Sequence, residues 1–529
     1  MNIATRLEEV LQDPDDRIIL RSEQRSFSRS EFEQLTRQAA DGLGAAGTTT
    51  DEIVEIHTDD HVEAVILMVS VLRAGGGFCV VPPTYPTARV EQIRRRTRPV
   101  AVVRSVADAV ELRDGTTRAL PSRRPDQLAY VIFTSGSTGE PKAVEITDRG
   151  LANLATQPGI YPGEVIAHTA ALQFDACIYE ILGGLLNGMT IQVVELDDLL
   201  DRSRVRHALH AVDTLFVTTA VFNLLADRSP EVFDDLQLVL FGGERVSPRH
   251  VRNVLPRCRV IHVYGPTETT VFATSYEIGD VLPGEDVPIG RAMQNMCTHV
   301  LDETGDPVNG ADPGELVVGG PGLMRGYRDE PDITERSMIT LHGAPHYRTG
   351  DLVTSAEGAM TFIGRRDRQV KVKGYRIDLA EIERVATDFV CINGRRSTAT
   401  AVTDKGIVRL FISGCSDLSA LRHHLREVLP SYTVPVVTPV GAIPLTRNGK
   451  TDTGALLEFA REMTPGQERA RELFAALVPT GTPSSTFLDL GGDSLSAMNA
   501  VWQLDDQGVV VDMGDLLTRP LEEVLSNVA

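Results

Sequence analysis

Through most of its length the chain alternates short, almost wholly apolar runs with longer amphipathic stretches. The runs "IVEIHT", "AYVIFT", "TLFVTT", "LQLVLF" and "VIHVYG" have the length and branched composition of buried strands. Helical stretches between them predict an α/β layered domain with a mainly parallel sheet over residues 1–366. The opening "MNIATRLEEVLQ" alternates acidic and apolar residues in the manner of an amphipathic helix. From Ala311 the pattern changes to "GELVVGG", "AMTFIG" and "RQVKVKGYRI", strand-like pieces parted by glycine turns, which predict a smaller β-rich lobe closing this region. A second unit, 367–459, mixes strands ("TATAV", "IVRLFIS") with the helix "DLSALRHHLREVL". "REMTPGQERA" carries a Pro-Gly break and reads as a linker; 463–529 reads as helical apart from the loop "PTGTPSSTFLDLGGDS".

Length and charge narrow the class. At 529 residues the chain exceeds one ordinary domain, and about two to four are expected. A net charge of −21 argues against a nucleic-acid partner, since phosphate binding rests on clustered Lys and Arg. The densest basic run, Arg94–Arg95–Arg96, reads as a solvated helix face. No basic-then-apolar leader opens the chain, and the apolar stretch Val65–Leu72 is too short to span a bilayer, so no membrane is expected. The cysteines at 79, 177, 258, 297, 391 and 415 form no C-x-x-C pair, which argues against disulfides and zinc. These features predict a cytosolic, multidomain enzyme.

The segment "FTSGSTGEPK", Phe133 to Lys142, carries the first chemistry. Gly136 and Lys142 have P-loop spacing, but Pro141 replaces the second glycine and Ala143 the magnesium-binding hydroxyl, so this is not a P-loop. The turn follows the apolar run Tyr130–Phe133, at the carboxyl end of a buried strand, where α/β sheets place ligands. Thr134, Ser135, Ser137 and Thr138 offer hydroxyls, and Gly136 and Gly139 let backbone N–H groups approach an anion. A flexible linker would not be bracketed so tightly by a strand and Pro-Lys.

"YVIFTSGSTGEPKAV" resembles the phosphate-loop signature of the adenylate-forming superfamily: the amino-acid-activating domains of nonribosomal peptide synthetases, acyl-CoA synthetases and luciferases. The resemblance continues in order through "FDACIYEIL" (174–182), "VYGPTETT" (263–270), "GELVVGGPGLMRGY" (314–327), "YRTGDL" (347–352), "GRRDRQVKVKGYRIDLAEIE" (364–383) and "PLTRNGKTD" (444–452). It implies a large adenylate-forming α/β core, a small mobile α+β lobe hinged at Asp367, and ATP and Mg2+ as cofactors. Attack of a carboxylate on the α-phosphate spreads negative charge over several oxygens, so positioning and electrostatics must carry the catalysis. Glu268 suits a magnesium site, because that ion takes few protein carboxylates. By resemblance Tyr264 stacks on adenine beside Gly243 and Glu244, and Thr267 and Lys142 belong to the ATP site. Asp351 accepts the ribose hydroxyls, Arg365 makes a second ribose contact, and Lys450 is the catalytic lysine bridging carboxylate and α-phosphate. Outside this context Glu268 and Lys450 would read as a turn glutamate and a surface-loop lysine. Two positions depart from the family: the usual "PKG" is "PKA", adding a methyl beside the phosphate turn, and a common histidine is Asp148, removing a possible cation. Both are expected to slow turnover, and neither touches Glu268, Asp351 or Lys450, so the activity is expected to remain.

The tail "FLDLGGDSLSAMNAVW" (487–502) resembles the carrier-protein signature whose serine bears 4′-phosphopantetheine, which implies a four-helix carrier domain over 463–529 with Ser494 as the attachment point. Asp493 is a good N-cap, and Leu495, Met498 and Trp502 follow one helix face. Gly492–Leu495 also spells the GDSL-hydrolase signature, but that chemistry needs a histidine after the serine, and His424 is the last in the chain. Gly374, in "KVKGYRI", is expected on the thiol's path during loading.

The whole predicts an adenylation–thiolation didomain that makes aminoacyl-AMP and transfers the aminoacyl group to its own carrier. The pocket positions fall by resemblance at Phe174, Asp175, Ala176, Tyr179, Val217, Leu240, Gly242, Val263, Val271 and Phe272. Asp175 pairs the substrate ammonium, bulky Val217, Leu240 and Val263 crowd out a large ring, and Gly242 leaves room for branching. The expected substrate is therefore valine, isoleucine or a close relative, with proline or another small apolar amino acid as runner-up. The expected partners are a phosphopantetheinyl transferase, a condensation domain or tailoring enzyme met in trans, and a small MbtH-like helper protein. The rival readings are an acyl- or aryl-acid ligase with a fused carrier, and a catalytically weak carrier-docking protein.

Overall fold

The computed structural model describes residues 1–134, 141–201, 203–280, 286–308, 312–356, 358–366, 369–372, 375–392, 398–404, 407–415, 417–444 and 451–462. In the C-terminal segment it describes 487, 497, 500–501, 504, 511–519 and 524. Each apolar run named above forms a strand. The largest sheet has nine strands. Its parallel middle runs from Arg259–Tyr264 through Leu238–Gly242, Thr214–Thr218, Val165–His168 and Thr190–Val193 to Ile18–Arg21. Antiparallel strands close both edges. Every residue of Leu238–Gly242 is buried, as a strand covered on both faces requires. A six-stranded sheet places Leu128–Thr134, Gly77–Val80, Ile53–Ile56 and Ala101–Val103 in parallel. Leu128–Thr134 then pairs antiparallel with Lys142–Thr147, so the segment between them joins two sheet neighbours instead of leading into a helix as a P-loop does.

The N-terminal helix Ile3–Leu11 buries Ile3, Leu7, Val10 and Leu11. The β-rich lobe is a sheet of Cys297–Leu301, Gly314–Gly319, Ala344–Ala356 and Met338–Leu341, with Ala359–Arg365 added alongside Ala344–Ala356. Beyond it, Thr398–Asp404, Ile407–Ser413 and Val436–Pro439 form a three-stranded sheet with the helices Leu379–Ile392 and Leu418–Val428, around its own core of Ile382, Leu410, Leu421 and Leu425. This unit meets the large core through the buried Arg89–Glu381 ion pair at 3.2 Å. Among the described residues, no helix is long and apolar enough to cross a membrane.

Three local expectations change. Arg94 and Arg95 are exposed, but Arg96 is only 22% exposed and pairs with Glu330 at 3.0 Å, so the basic run is not a uniformly solvated face. Ala143 is buried, opposite Phe133 in the hairpin, and its methyl packs with Cys79, Val131 and Ile93, so it also serves the core. Asp148 opens the helix Asp148–Ala155 and takes two hydrogen bonds of 2.8 Å from Arg123. Arg123 is fully buried and also donates to the carbonyls of Leu72, Gly76 and Leu128. Asp148 thus neutralises a core arginine that ties three segments together.

Candidate active site

The carboxyl ends of the parallel strands open into two adjoining cavities. One, of about 570 Å3, is bordered by Phe174, Asp175, Ala176, Val217, Gly242, Val263, Val271 and Phe272, together with Thr134, Thr267 and Asp351. The other, of about 530 Å3, is bordered by Gly243, Glu244, Tyr264 and Arg365, with Gln369, Val370 and Thr403 of the second unit above it. Gly243, Val263 and Arg365 border both. A crevice at the strand ends is where an open α/β sheet offers its backbone to ligands.

Asp351 stands at this junction, 1% exposed. The Tyr264 hydroxyl donates to one of its oxygens and the Arg365 guanidinium to the other. Arg365 is steadied by donating to the Thr349 carbonyl and the Gln369 side chain, both at 3.1 Å. Tyr264 therefore lines the second cavity with its ring while its hydroxyl is tied to the aspartate. Glu268 is also 1% exposed and accepts a hydrogen bond of 2.8 Å from the Tyr327 hydroxyl. Over the same Tyr327 ring stands the Lys142 ammonium, 5.1 Å from its centroid. A carboxylate, a phenol and a lysine thus converge beside the strand end that carries Thr134.

Asp175 looks into the apolar first cavity. Desolvation raises its carboxyl to about 6; a hydrogen bond from Thr267 opposes the shift, and the nearby Glu268 charge adds to it. Two carboxylates near each other in such surroundings call for cations. Glu268 offers the hard oxygen donors that Mg2+ takes, and the second cavity, with an aromatic wall and a carboxylate–guanidinium pair at its mouth, suits a nucleoside; both fit.

The pocket floor differs from expectation. Tyr179 does not border the cavity: it is fully buried, its hydroxyl donates 2.6 Å to the Ile160 carbonyl, and it stacks on Tyr161. Leu240 is also fully buried and does not border it, lying two residues below Gly242 along the same strand face. Val217 borders the cavity, but its side chain belongs to the core of Leu215, Phe222 and Phe241. Its neighbour Phe216 faces Tyr179 and Phe272, with ring centroids 6.2 and 5.5 Å away. At Gly242 a β-carbon would meet the Val263 carbonyl oxygen at 2.3 Å, so the glycine answers close strand contact instead of leaving room for substrate. Val271 holds φ 67° and Thr270 φ 59°, left-handed values that are costly for β-branched residues. Thr270 is fastened there by donating 2.6 Å to the Gly322 carbonyl.

Sequence reading missed Phe216 and a buried relay behind the cavity wall. His61 borders the cavity, and its Nδ1 lies 2.7 Å from His168 Nε2; His168 Nδ1 lies 2.7 Å from Glu180. The Thr169 and Ala170 N–H groups, in the cavity wall, also donate to Glu180. Burial lifts Glu180 to about 8 and depresses both imidazoles to about 3. The one signal was a glutamate inside the apolar run "CIYEILGG", here a π-helical turn over Tyr179–Gly183. The cavity's outer side is closed by Tyr432, which packs edge-on against Phe174 at 5.4 Å, and by Asp512, Gly514, Asp515 and Leu517. Ser135, Gly136, Ser137, Thr138, Asp367, Gly374, Lys450 and Ser494 lie outside the described residues.

The fold is a large α/β core with two adjoining cavities at the carboxyl ends of its parallel strands, joined to a smaller α+β unit. The AMP-binding enzyme family matches residues 7–328, and the phosphopantetheine attachment site family matches 468–520. The chain belongs to the AMP-binding enzyme family and is an adenylation–carrier didomain of the adenylate-forming superfamily. It is 31% identical over 521 residues to tyrocidine synthase 3 of Brevibacillus parabrevis, covering 90% of this chain and 8% of that protein. To bacitracin synthase 1 of Bacillus licheniformis it is 32% identical, covering 94% of this chain and 10% of that protein. The chain thus spans a tenth or less of these relatives. Holo-PA1221, an NRPS protein containing adenylation and PCP domains, solved with a vinylsulfonamide inhibitor, superposes with a TM-score of 0.80 at 28% identity, over 99% of this chain and 96% of that one.

Proposed function

We propose that the chain activates an α-amino acid with ATP as the aminoacyl-AMP, releasing pyrophosphate, and loads the aminoacyl group onto its own carrier at Ser494. The observation that carries this reading is the junction of the two cavities at Gly243, Val263 and Arg365, with Asp175 on the acid side and Asp351 at the boundary. Asp175 pairs the substrate ammonium. That contact holds the carboxylate end toward the junction, where the α-phosphate would lie. Tyr264 and Arg365 orient Asp351 for the ribose, with Gly243 and Glu244 beside the base. Lys142, Thr134 and the 135–138 segment hold the phosphates, and Lys450 steadies the charge that builds during attack. Glu268, held by Tyr327 and flanked by Thr267, would hold Mg2+, which supplies charge neutralisation at the phosphates when bound. A phosphopantetheine arm on Ser494 supplies the thiol that receives the acyl group.

The units 1–366, 367–459 and 463–529 would then be core, mobile lobe and carrier, with Asp367 the hinge and Gly374 on the loading path. Ala143 and Asp148 leave the reaction intact in this reading, because both serve the core. The side chain accepted is apolar: Phe216, Phe272, Val263 and Val271 offer a polar group nothing in exchange for its water. A branched aliphatic amino acid, valine or isoleucine, is the first expectation, since Phe216 and Phe272 narrow the floor. The reaction belongs in the cytoplasm, where ATP is supplied. A condensation domain or tailoring enzyme would take the cargo, and a small MbtH-like helper would support the fold.

Amino-acid-dependent ATP–pyrophosphate exchange tests the reading. We expect exchange with apolar α-amino acids and little with the same acids lacking the amine. Equal exchange with the amine-free acids would favour the acyl-acid ligase, and none with any acid the docking protein. Among apolar substrates the preference should be soft, because one methylene is worth only about 1–3 kcal/mol.

A further inference from the structure

The β-rich lobe brings His346 beside Cys297 and His299, from which the sequence separates it by more than forty residues. Cys297 stands opposite Gly319, and Gly319 stands opposite His346, across three adjacent strands. Facing residues project from the same side of a sheet, and a side chain on the middle strand would normally separate the outer two. Glycine supplies none. A β-carbon at 319 would lie 2.7 Å from His346 Nε2 and 2.8 Å from Cys297 Sγ. Cys297 and His346 instead meet over the gap, Sγ to Nε2, at 3.4 Å.

His299, two residues along the strand from Cys297, projects from the same face. Its ring centroid is 5.1 Å from that of His346, edge to face. One donor atom each from Cys297, His299 and His346 lies within 4.8 Å of the other two, the one such group among the described residues. His346 is buried, and its Nδ1 lies 3.0 Å from the Ala344 carbonyl. A carbonyl can only accept, so the ring proton sits on Nδ1 and the Nε2 lone pair points at the thiol. Metal-binding histidines are commonly oriented this way. His342, exposed in the turn before Ala344, stands with its ring 5.6 Å from His299.

We propose that Cys297, His299 and His346 form a binding site for a zinc-class divalent ion, with a fourth position open toward solvent. With Zn–S near ~2.3 Å and Zn–N near ~2.0–2.1 Å, tetrahedral ligands lie roughly 3.4–3.6 Å apart, which the Cys297–His346 approach already meets. A thiolate with two imidazoles and no carboxylate selects zinc or cobalt over Mg2+. None of the three residues borders either cavity, so the site is separate from the nucleotide and acid pockets. It would tie the strand Cys297–Leu301 to Ala344–Ala356, which also carries Asp351, across the intervening strand Gly314–Gly319. The expectation that the cysteines hold no zinc rested on the missing C-x-x-C; here the ligands come from two strands, 297/299 and 346, with a glycine between.

The full chain, stripped with a chelator and titrated with Co2+, tests this. One equivalent should bind with the visible bands of tetrahedral cobalt and a thiolate charge-transfer band, and Zn2+ should displace it. Cys297→Ser, at an exposed position, should remove the charge-transfer band and weaken binding at least ~10-fold. His299→Ala should weaken binding comparably, while Cys415→Ser should change nothing. Thermal unfolding checks that each variant is folded, and wild type should unfold at higher temperature with Zn2+. Failure to bind one equivalent, or a cobalt spectrum unchanged by Cys297→Ser, would overturn the site and leave a thiol–imidazole hydrogen bond.

Discussion

Tyr327 holds Glu268: its hydroxyl donates 2.8 Å to a carboxylate that is 1% exposed, while Lys142 stands 5.1 Å above the same ring. One phenol thus sets the spacing between the carboxylate assigned to magnesium and the lysine assigned to phosphate. A hydrogen bond to a charged group contributes about 1.5–3 kcal/mol. Tyr327→Phe should therefore raise the Mg2+ concentration for half-maximal pyrophosphate exchange by about 10-fold or more. An unchanged Mg2+ titration would separate Glu268 from the metal.

Asp175 gives a pH signature. Its folded value, raised to about 6 by desolvation, lies above the ordinary aspartate value of 3.8. The substrate ammonium needs the ionised form. KM for the amino acid should therefore climb as pH falls through about 6, and Asp175→Asn should flatten that dependence while raising KM at pH 8. The stability sign runs the other way. A raised carboxyl stabilises the fold below pH 3.8, and that contribution is lost as pH rises through about 6. At pH 8 the Asn variant should therefore unfold at higher urea than wild type. A KM independent of pH between 5 and 8 in the wild type would remove Asp175 from the ammonium site.

The Arg123–Asp148 pair predicts a variant that loses stability but not chemistry. Both side chains are at most 4% exposed, and breaking such a pair from one side costs about 3–5 kcal/mol. Asp148→Asn should lower the urea midpoint accordingly, with exchange per folded molecule near wild type. Lost exchange in a stably folded variant would return position 148 to the phosphate site.

Lys450 and Ser494 should separate the two half-reactions. Lys450→Ala should slow exchange by ~10²–10³-fold, the loss typical of a preorganised charge. Ser494→Ala should keep exchange and abolish loading. If Lys450→Ala retained near-normal exchange with its fold intact, the lysine assignment would fail.

Much of this was legible in the sequence. Runs such as "LQLVLF" and "VIHVYG" became strands because only a strand covered on both faces buries consecutive residues as Leu238–Gly242 and 260–264 are buried. Val263 and Phe272 could be placed because each sits in a motif at or beside a strand end, and Asp175 because its motif opens the short helix Ala176–Ile178. Leu240, Val217 and Phe216 could not, because a strand's period of two sends neighbours to opposite cores, and depth along the strand is invisible in one line of text. Asp148 read as a missing cation only while its partner Arg123 was unseen. The Cys297–His346 approach depends on strand register and on a glycine in a third segment, which spacing alone does not encode.

A chain that both activates an amino acid and receives it carries the record of both steps in its own mass. Intact-mass measurement tests this most directly, after treatment with a phosphopantetheinyl transferase and coenzyme A, then ATP, Mg2+ and a mixture of apolar amino acids. The mass of the arm should appear first, then a second increment equal to an aminoacyl group that requires ATP, both absent in Ser494→Ala. An arm that stays unloaded while pyrophosphate is released, or an acyl increment that forms without ATP, would contradict it.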